Sequence, residues 1–393
     1  MAEQLELVPR QERPLLENAE RDARERGLAD VTIVDADLHL HGLPSSEEVR
    51  RHVRHANLQR LFTRWNAEIP RPRGDVWVGG RVKYPPLEGP SETASTAGGL
   101  HPTAATMLES MDRMGVDIGI VSHTPLLYLA QHPEVEVETE LAAAFARWLV
   151  EDVLPGADRL RTLLYLPITD PKVSVRMIEE FGDRPGVAGF LITAVNYLPL
   201  HRNEYMPVFA ALEERRLPLA VHAGHNWLER PFNLLPRFLG AHALGTPFYA
   251  MVHLFNTVIA GIAARFPDLP WIWMEAGQSW ATFCASRIDN EYRQRTSEAP
   301  LLTRMPSDYI RDMHFTTQPL EDEFPSEQAR VLFDYLNGAQ SFLYSSGYPG
   351  SDFDVPGRVL DLPYLSREEQ LAILAGNAMR VFGLTRTAPG SPR

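Results

Sequence analysis

VTIVDADLHLHGLP, residues 31–44, is the stretch on which the fold turns. A β-branched apolar run, Val31 to Val34, leads straight into Asp37-Leu38-His39-Leu40-His41. Side chains alternate along a strand, so Asp37, His39 and His41 project from one face. Two imidazoles and a carboxylate at the end of a buried strand form a donor set for a first-row divalent metal. The plainer reading is a pair of histidines satisfied by backbone carbonyls. A His-x-His that closes an apolar strand near the N-terminus favours ligation instead.

Beyond this strand, from Thr106 onward, short apolar runs bounded by Gly, Pro or Asp alternate with amphipathic stretches of helical length. The runs are Asp117–Ser122, Arg161–Leu166, Gly186–Ile192, Leu217–His222, Trp271–Glu275, Met313–Thr317 and Phe342–Ser346, eight strands with the first. Eight βα units in sequence predict an α/β fold, a TIM-type (β/α)8 barrel. A doubly wound sheet would carry a Gly-rich phosphate turn after its first strand, and none follows here. The barrel is expected over 29–385, with a polar N-terminal arm at 1–28 and a short tail at 386–393. A long insert after the first strand, 45–110, is rich in Arg, Pro and Gly, as suits a lid, a binding loop or an interface beside the C-terminal mouth.

Composition narrows the function. The chain has 393 residues, 44% of them apolar, enough for one large core. It holds no run of about 20 apolar residues of the kind a membrane span needs. The charged N-terminus does not read as a signal peptide. Cys284 is the single cysteine, so no intrachain disulfide forms, and a cytoplasmic setting is expected. A net charge of -13 argues against nucleic acid as a partner and leaves a small-molecule substrate.

In such a barrel, chemistry lies where the strands end. The fifth run ends in His222, with His225 just beyond, and the sixth in Glu275. The seventh delivers Thr316, Thr317 and Gln318, and the eighth Ser345, Ser346 and Gly347. His39, His41 and His222 are the expected metal ligands, with Glu275 as ligand or orienting partner and Asp37 deeper. Glu275, His253 and Asp352 are the catalytic candidates. His253 begins an amphipathic helical stretch and either faces the site or packs. His123, after the second run, either lines the pocket or lies in the core.

These motifs together resemble the amidohydrolase-related branch of the amidohydrolase superfamily. They are DLHLHGLP (37–44), MDRMGVDIGIVS (111–122), GVAGFLI (186–192), LPLAVHAGH (217–225), ARFPDLPWIWMEAGQSW (264–280), YIRDMHFTTQP (309–319), YPGSDFDVP (348–356) and GNAMRVFGL (376–384). The resemblance implies a barrel that binds a divalent metal (Zn, Fe or Mn). It places the family's first-strand pair on His39 and His41, its fifth-strand ligand on His222 and its sixth-strand position on Glu275. The chain departs at the eighth strand. There the family typically reads SDYPH, its Asp serving as ligand and proton acceptor, whereas this chain has Gly347 and Gly350, with Asp352 and Asp354 following.

A metal-bound water without its base forfeits a contribution on the order of 10²–10⁴ in rate. The favoured expectation is therefore a metal-binding subunit of a hetero-oligomeric enzyme, partnered by a homologous chain. By resemblance that enzyme is a metal-dependent oxygenase acting on a small amino acid, like the two-subunit 2-aminoisobutyrate hydroxylase. The alternative is a stand-alone metal-dependent hydrolase or decarboxylase with an altered ligand set. On the favoured expectation the chain alone turns over little substrate, and residues 1–28, with apolar Leu5, Leu7, Leu15, Leu16 and Leu28, lie on a neighbouring subunit.

Overall fold

The computed structural model describes residues 15–40, 46–64, 99–196, 198–224, 229–321, 324–350 and 353–385. Eight strands follow one another in spatial order and pair in parallel. They are β1 (Val34–His39), β2 (Ile118–Ser122), β3 (Leu160–Tyr165), β4 (Val187–Thr193), β5 (Leu219–His222), β6 (Trp271–Met274), β7 (His314–Thr316) and β8 (Phe342–Leu343). Each expected apolar run overlaps one of them. The last strand returns to the first through backbone bonds from Ala36 N to Tyr344 O (2.8 Å), Gly347 N to Asp37 O (3.0 Å) and His39 N to Tyr348 O (2.9 Å). Closure removes the sheet's open edges and makes the barrel one core.

The main helices are α1 (Leu15–Glu25), α2 (Ser46–His52), α3 (Ala56–Arg64), α4 (Pro102–Met114), α5 (Val135–Trp148), α6 (Pro171–Phe181), α7 (Met206–Glu214), α8 (Phe238–Ile259), α9 (Ser279–Gln294) and α10 (Ser326–Tyr335). Those from α4 onward link successive strands and bury their apolar faces against the barrel wall, as parallel strands require. At Gly119 of β2 the wall and α4 meet so closely that an added Cβ would stand 2.4 Å from Leu38 Cδ1 and 2.9 Å from Met111 Sδ.

Two expectations change. Residues 45–110 are not one irregular insert, because α2, α3 and the first part of α4 lie within them. The start of α4 follows ordinary rules: the His101 ring accepts from Thr103 N at 3.2 Å, Pro102 takes the first turn, and Gly115 ends the helix at φ 74. The second change concerns the N-terminal arm. In its described part, Ala19 and Leu28 are buried against the chain's own barrel. Arg26 forks onto Asp361 with two 2.7 Å bonds, and Arg113 of α4 reaches Glu20 at 3.3 Å. An amphipathic segment covers any apolar surface within reach, and here the nearest one is its own. Among the described residues no helix is long and apolar enough to cross a membrane.

Candidate metal centre

β1 delivers its donors as alternation requires. Asp37 and His39 project together, a bulge in the pairing with β2 falls between Asp35 and Leu38, and all three of Asp35, Asp37 and His39 are buried. Asp35 lies furthest from the mouth. Its Oδ1 accepts from Asp37 N (3.1 Å) and Ser346 N (3.0 Å), binding β1 to the segment after β8. Burial, with Asp37 nearby, pushes the Asp35 carboxyl up to about 7 against those hydrogen bonds.

One step along the strand, Asp37 meets residues from β5 and the end of β6. Ligand atoms of Asp37, His39, His222 and Glu275 all lie within 4.8 Å of one another. His222 Nε2 stands 3.4 Å from Asp37 Oδ2 and 3.5 Å from Glu275 Oε2. His39 Nε2 is 3.8 Å from both Asp37 Oδ1 and Glu275 Oε2. Donors about 2.0–2.2 Å from a shared cation lie roughly 3–4 Å apart, so these spacings fit a metal.

The outer nitrogens settle which face of each ring is free to coordinate. His222 Nδ1 is 2.8 Å from the Ala223 carbonyl, which can only accept. Its hydrogen is therefore on Nδ1, and the Nε2 lone pair faces the carboxylates. His39 Nδ1 sits 3.2 Å from Ser122 Oγ and 3.0 Å from Thr124 Oγ1. Ligation through Nε2 leaves His39 donating from Nδ1 to these hydroxyls. Sequence reading missed Ser122 and Thr124, although their place at the end of β2 was the available signal.

Glu275 is held by its backbone. It adopts φ 55, a conformation that disfavours residues other than Gly, and its N–H donates to Thr316 Oγ1 at 3.0 Å. Such a departure is held by its surroundings at a cost on the order of 1 kcal/mol and clusters at working sites.

Two observations say that the residues present fit a cation. Both Asp37 carboxylate oxygens and His222 Nε2 are buried without a hydrogen-bond partner among the described residues. Buried anionic oxygens are costly to leave so, and a divalent ion would satisfy them. Without a metal a proton does part of that work. Burial pulls the His222 imidazole down, but Asp37 and then Glu275 raise it to about 9. Asp37 is lowered in turn by His222 and His39 in spite of its own burial.

Around the cluster, burial and the nearby Glu275 carboxylate hold the Tyr128 phenol well above its usual range. His253 does not join the cluster. Its Nε2 donates to the Ala194 carbonyl at 2.9 Å beyond the end of β4, and its Nδ1 is buried with no hydrogen-bond partner recorded among the described residues. His123 turns edge-on to Phe145 and Trp148 of α5, with ring centroids 4.8 and 6.2 Å away, and burial lowers it to about 3. His41, His225 and Asp352 lie outside the described residues.

At the eighth strand, Gly347 takes φ 66, and the space beside it is filled. An added Cβ would stand 2.7 Å from Gln318 Cδ and 2.8 Å from its Oε1. A buried carboxamide from the segment after β7 therefore occupies the room that a side chain at 347 would need.

A family model described as Amidohydrolase matches residues 34–384. The chain is 24% identical over 259 residues to a gamma-resorcylate decarboxylase of Polaromonas sp. (strain JS666 / ATCC BAA-500), covering 61% of this chain and 75% of that protein. Among solved structures, 5-carboxyvanillate decarboxylase from Sphingomonas paucimobilis superposes with a TM-score of 0.65 at 21% identity, over 91% of this chain and 100% of that one. A dihydroxybenzoic acid decarboxylase from Polaromonas sp. JS666, solved with manganese and 2-nitroresorcinol, gives 0.64 at 18% identity, over 92% and 99%. The match from β1 to the C-terminal helices, on a closed barrel with carboxylates and imidazoles gathered at its strand ends, makes this chain a member of the amidohydrolase family.

Proposed function

We propose that the protein is a metal-dependent decarboxylase of ortho-hydroxybenzoate-type acids, its cation (manganese, iron or zinc) held by Asp37, His39, His222 and Glu275. The observation that carries this reading is the convergence of those four side chains around the Asp37 carboxylate, whose two buried oxygens have no hydrogen-bond partner among the described residues. The relatives support the substrate class, since each named one acts on an aromatic carboxylic acid. They favour the stand-alone alternative over a supporting subunit of an oxygenase.

Gly347 supplies no carboxylate to deprotonate an attacking water. Hydrolysis needs that base; loss of CO2 needs an acid instead, because the C–C bond breaks, its electron pair stays on the ring carbon, and that carbon takes a proton drawn from solvent while CO2 leaves. A divalent cation in the site would supply Lewis-acid stabilisation of a substrate oxygen. The chain's own residues fix the donors: Ala223 O orients His222, Ser122 and Thr124 orient His39, and Thr316 sets the backbone of Glu275.

Two measurements test this. Elemental analysis of the purified chain should find about one divalent ion per chain, lost in Asp37→Ala plus His222→Ala. The manganese-loaded chain should release CO2 from 2,6-dihydroxybenzoate or 5-carboxyvanillate. A metal-free wild type that takes up no added cation rejects the centre. A loaded chain inert toward every ortho-hydroxybenzoate rejects the substrate class while leaving the centre standing.

A further inference from the structure

The donor His222 is the last residue of β5, and the pairing with β4 ends at Thr193 opposite it. Its carbonyl accepts from Ala194 N at 2.7 Å, one residue past the end of β4. On the other side Ala223 N donates to Met274 O at 2.9 Å, one residue before Glu275. Gly224 then passes so close to the chain after β4 that an added Cβ would stand 2.7 Å from Val195 Cγ2. The His222 segment is therefore placed by the turn at 193–196 as much as by its own strand. Within that turn, Thr193 Oγ1 accepts from Val195 N at 3.1 Å, and Asn196 Nδ2 donates back to Thr193 O at 2.8 Å. A further bond comes from far along the chain: His253 Nε2, on α8, donates to Ala194 O at 2.9 Å. Ala194 is thus held at both its polar groups, its N–H by the carbonyl of the metal donor and its C=O by the His253 ring.

His253 is buried, and burial holds its imidazole below the usual range against the backbones of Ala194 and Asn196, which raise it. The ring is then neutral, with its single hydrogen on the nitrogen that meets a carbonyl. Nδ1 keeps a lone pair with no hydrogen-bond partner among the described residues. Burying such a lone pair costs stability, and a leucine in the same space would bury none. Packing alone would be met better by an apolar side chain; what the imidazole adds is the Nε2 donor.

We propose that His253 is a positioning residue for the metal donor His222: through Ala194 it fixes the chain at the end of β4, and with it the backbone that aims the His222 ring. Groups that aim a ligand without touching the metal govern how tightly the cation is held. The role given to His222 rests on the proposed centre, whereas the clamp is present in the metal-free chain and is read there separately.

Glutamine and asparagine separate the two ring nitrogens, since a glutamine amide can donate from the place of Nε2 and an asparagine amide only from that of Nδ1. His253→Asn should weaken manganese binding about 10-fold in competition with a chelator, and His253→Gln should stay within about 3-fold of wild type. In the metal-free protein, hydrogen exchange at Ala194 N–H should quicken about 10-fold in His253→Asn and not in His253→Gln. If His253→Asn does not fold, His253→Leu removes the donor while filling the space and takes its place in both comparisons. Manganese held as tightly without the donor as with it overturns the proposal. So does a His253→Gln variant as impaired as His253→Asn. A wild type that takes up no cation rejects the centre, and the exchange comparison then decides the clamp by itself.

Discussion

The contact between Gln318 and Gly347 replaces a question about a missing acid with one about space. A side chain at 347 must adopt φ 66 and collide with the Gln318 carboxamide. Gly347→Asp alone should therefore lose about 1–3 kcal/mol of stability through backbone strain and overpacking. Gln318→Ala in the same chain clears the collision. The double variant should regain part of the loss and hold its metal more tightly than Gln318→Ala alone, because a carboxylate is added beside Asp37. Chemical denaturation and metal competition check both halves; a single Gly347→Asp as stable as wild type refutes the steric account. The absence of an acid at 347 was legible in the sequence. Its cause was not, because the amide that fills the gap comes from another segment 29 positions away. The same limit hid the positive φ of Glu275, which a Glu in sequence does not announce. Asp37 and His39 were readable because alternation alone puts them on one face, and His222 and Glu275 because each ends an apolar run.

Helix α1 shows how an element can be recognised while its address stays open in the sequence. Its few apolar residues among charges mark it as a helix that needs a surface, but the pattern is the same whether that surface belongs to its own chain or to a neighbour. The structure places it on its own barrel, with Leu28 only 1% exposed and Arg26 bound to Asp361. Removing residues 1–28 should lower stability by about 2–4 kcal/mol, most of it from Leu28 and its neighbours. It should leave the oligomeric mass unchanged, which light scattering and thermal unfolding together can decide. An altered mass with unaltered stability would return the arm to a neighbouring subunit. The eight strands carried no such ambiguity: a barrel strand is buried on both faces, so its apolar run points to the core whichever neighbour it pairs with.

Two buried carboxyls of the folded molecule titrate well above the usual range. Burial raises Asp35 and Glu138 alike to about 7, the latter despite bonds from the Tyr165 and Thr169 hydroxyls. Carboxyls raised above their unfolded values of 3.8 and 4.5 contribute stability that is complete below those values and disappears as pH rises through about 7. His222, raised to about 9 through Asp37, loses its contribution in the same direction at higher pH. Buried His123, lowered to about 3, and half-buried His314, lowered to about 4, act the opposite way, costing stability as pH falls through 6.5. On going from near pH 8 to near pH 5, therefore, the metal-free Asp35→Asn plus Glu138→Gln variant should lose melting temperature relative to metal-free wild type, and an identical pH dependence of the two would contradict this. Asp35 also ties β1 to the segment after β8, since its carboxylate holds Ser346, a residue 311 positions later. On the ribosome, at roughly 5–20 residues per second, those two partners are made roughly 15–60 s apart. For that interval the nascent chain displays its first donors on a strand that β2 can pair along one edge while its other edge still lacks the segment after β8. Cation capture by the complete set thus belongs to the finished polypeptide, and the metal inserted reflects what the cell offers after synthesis ends.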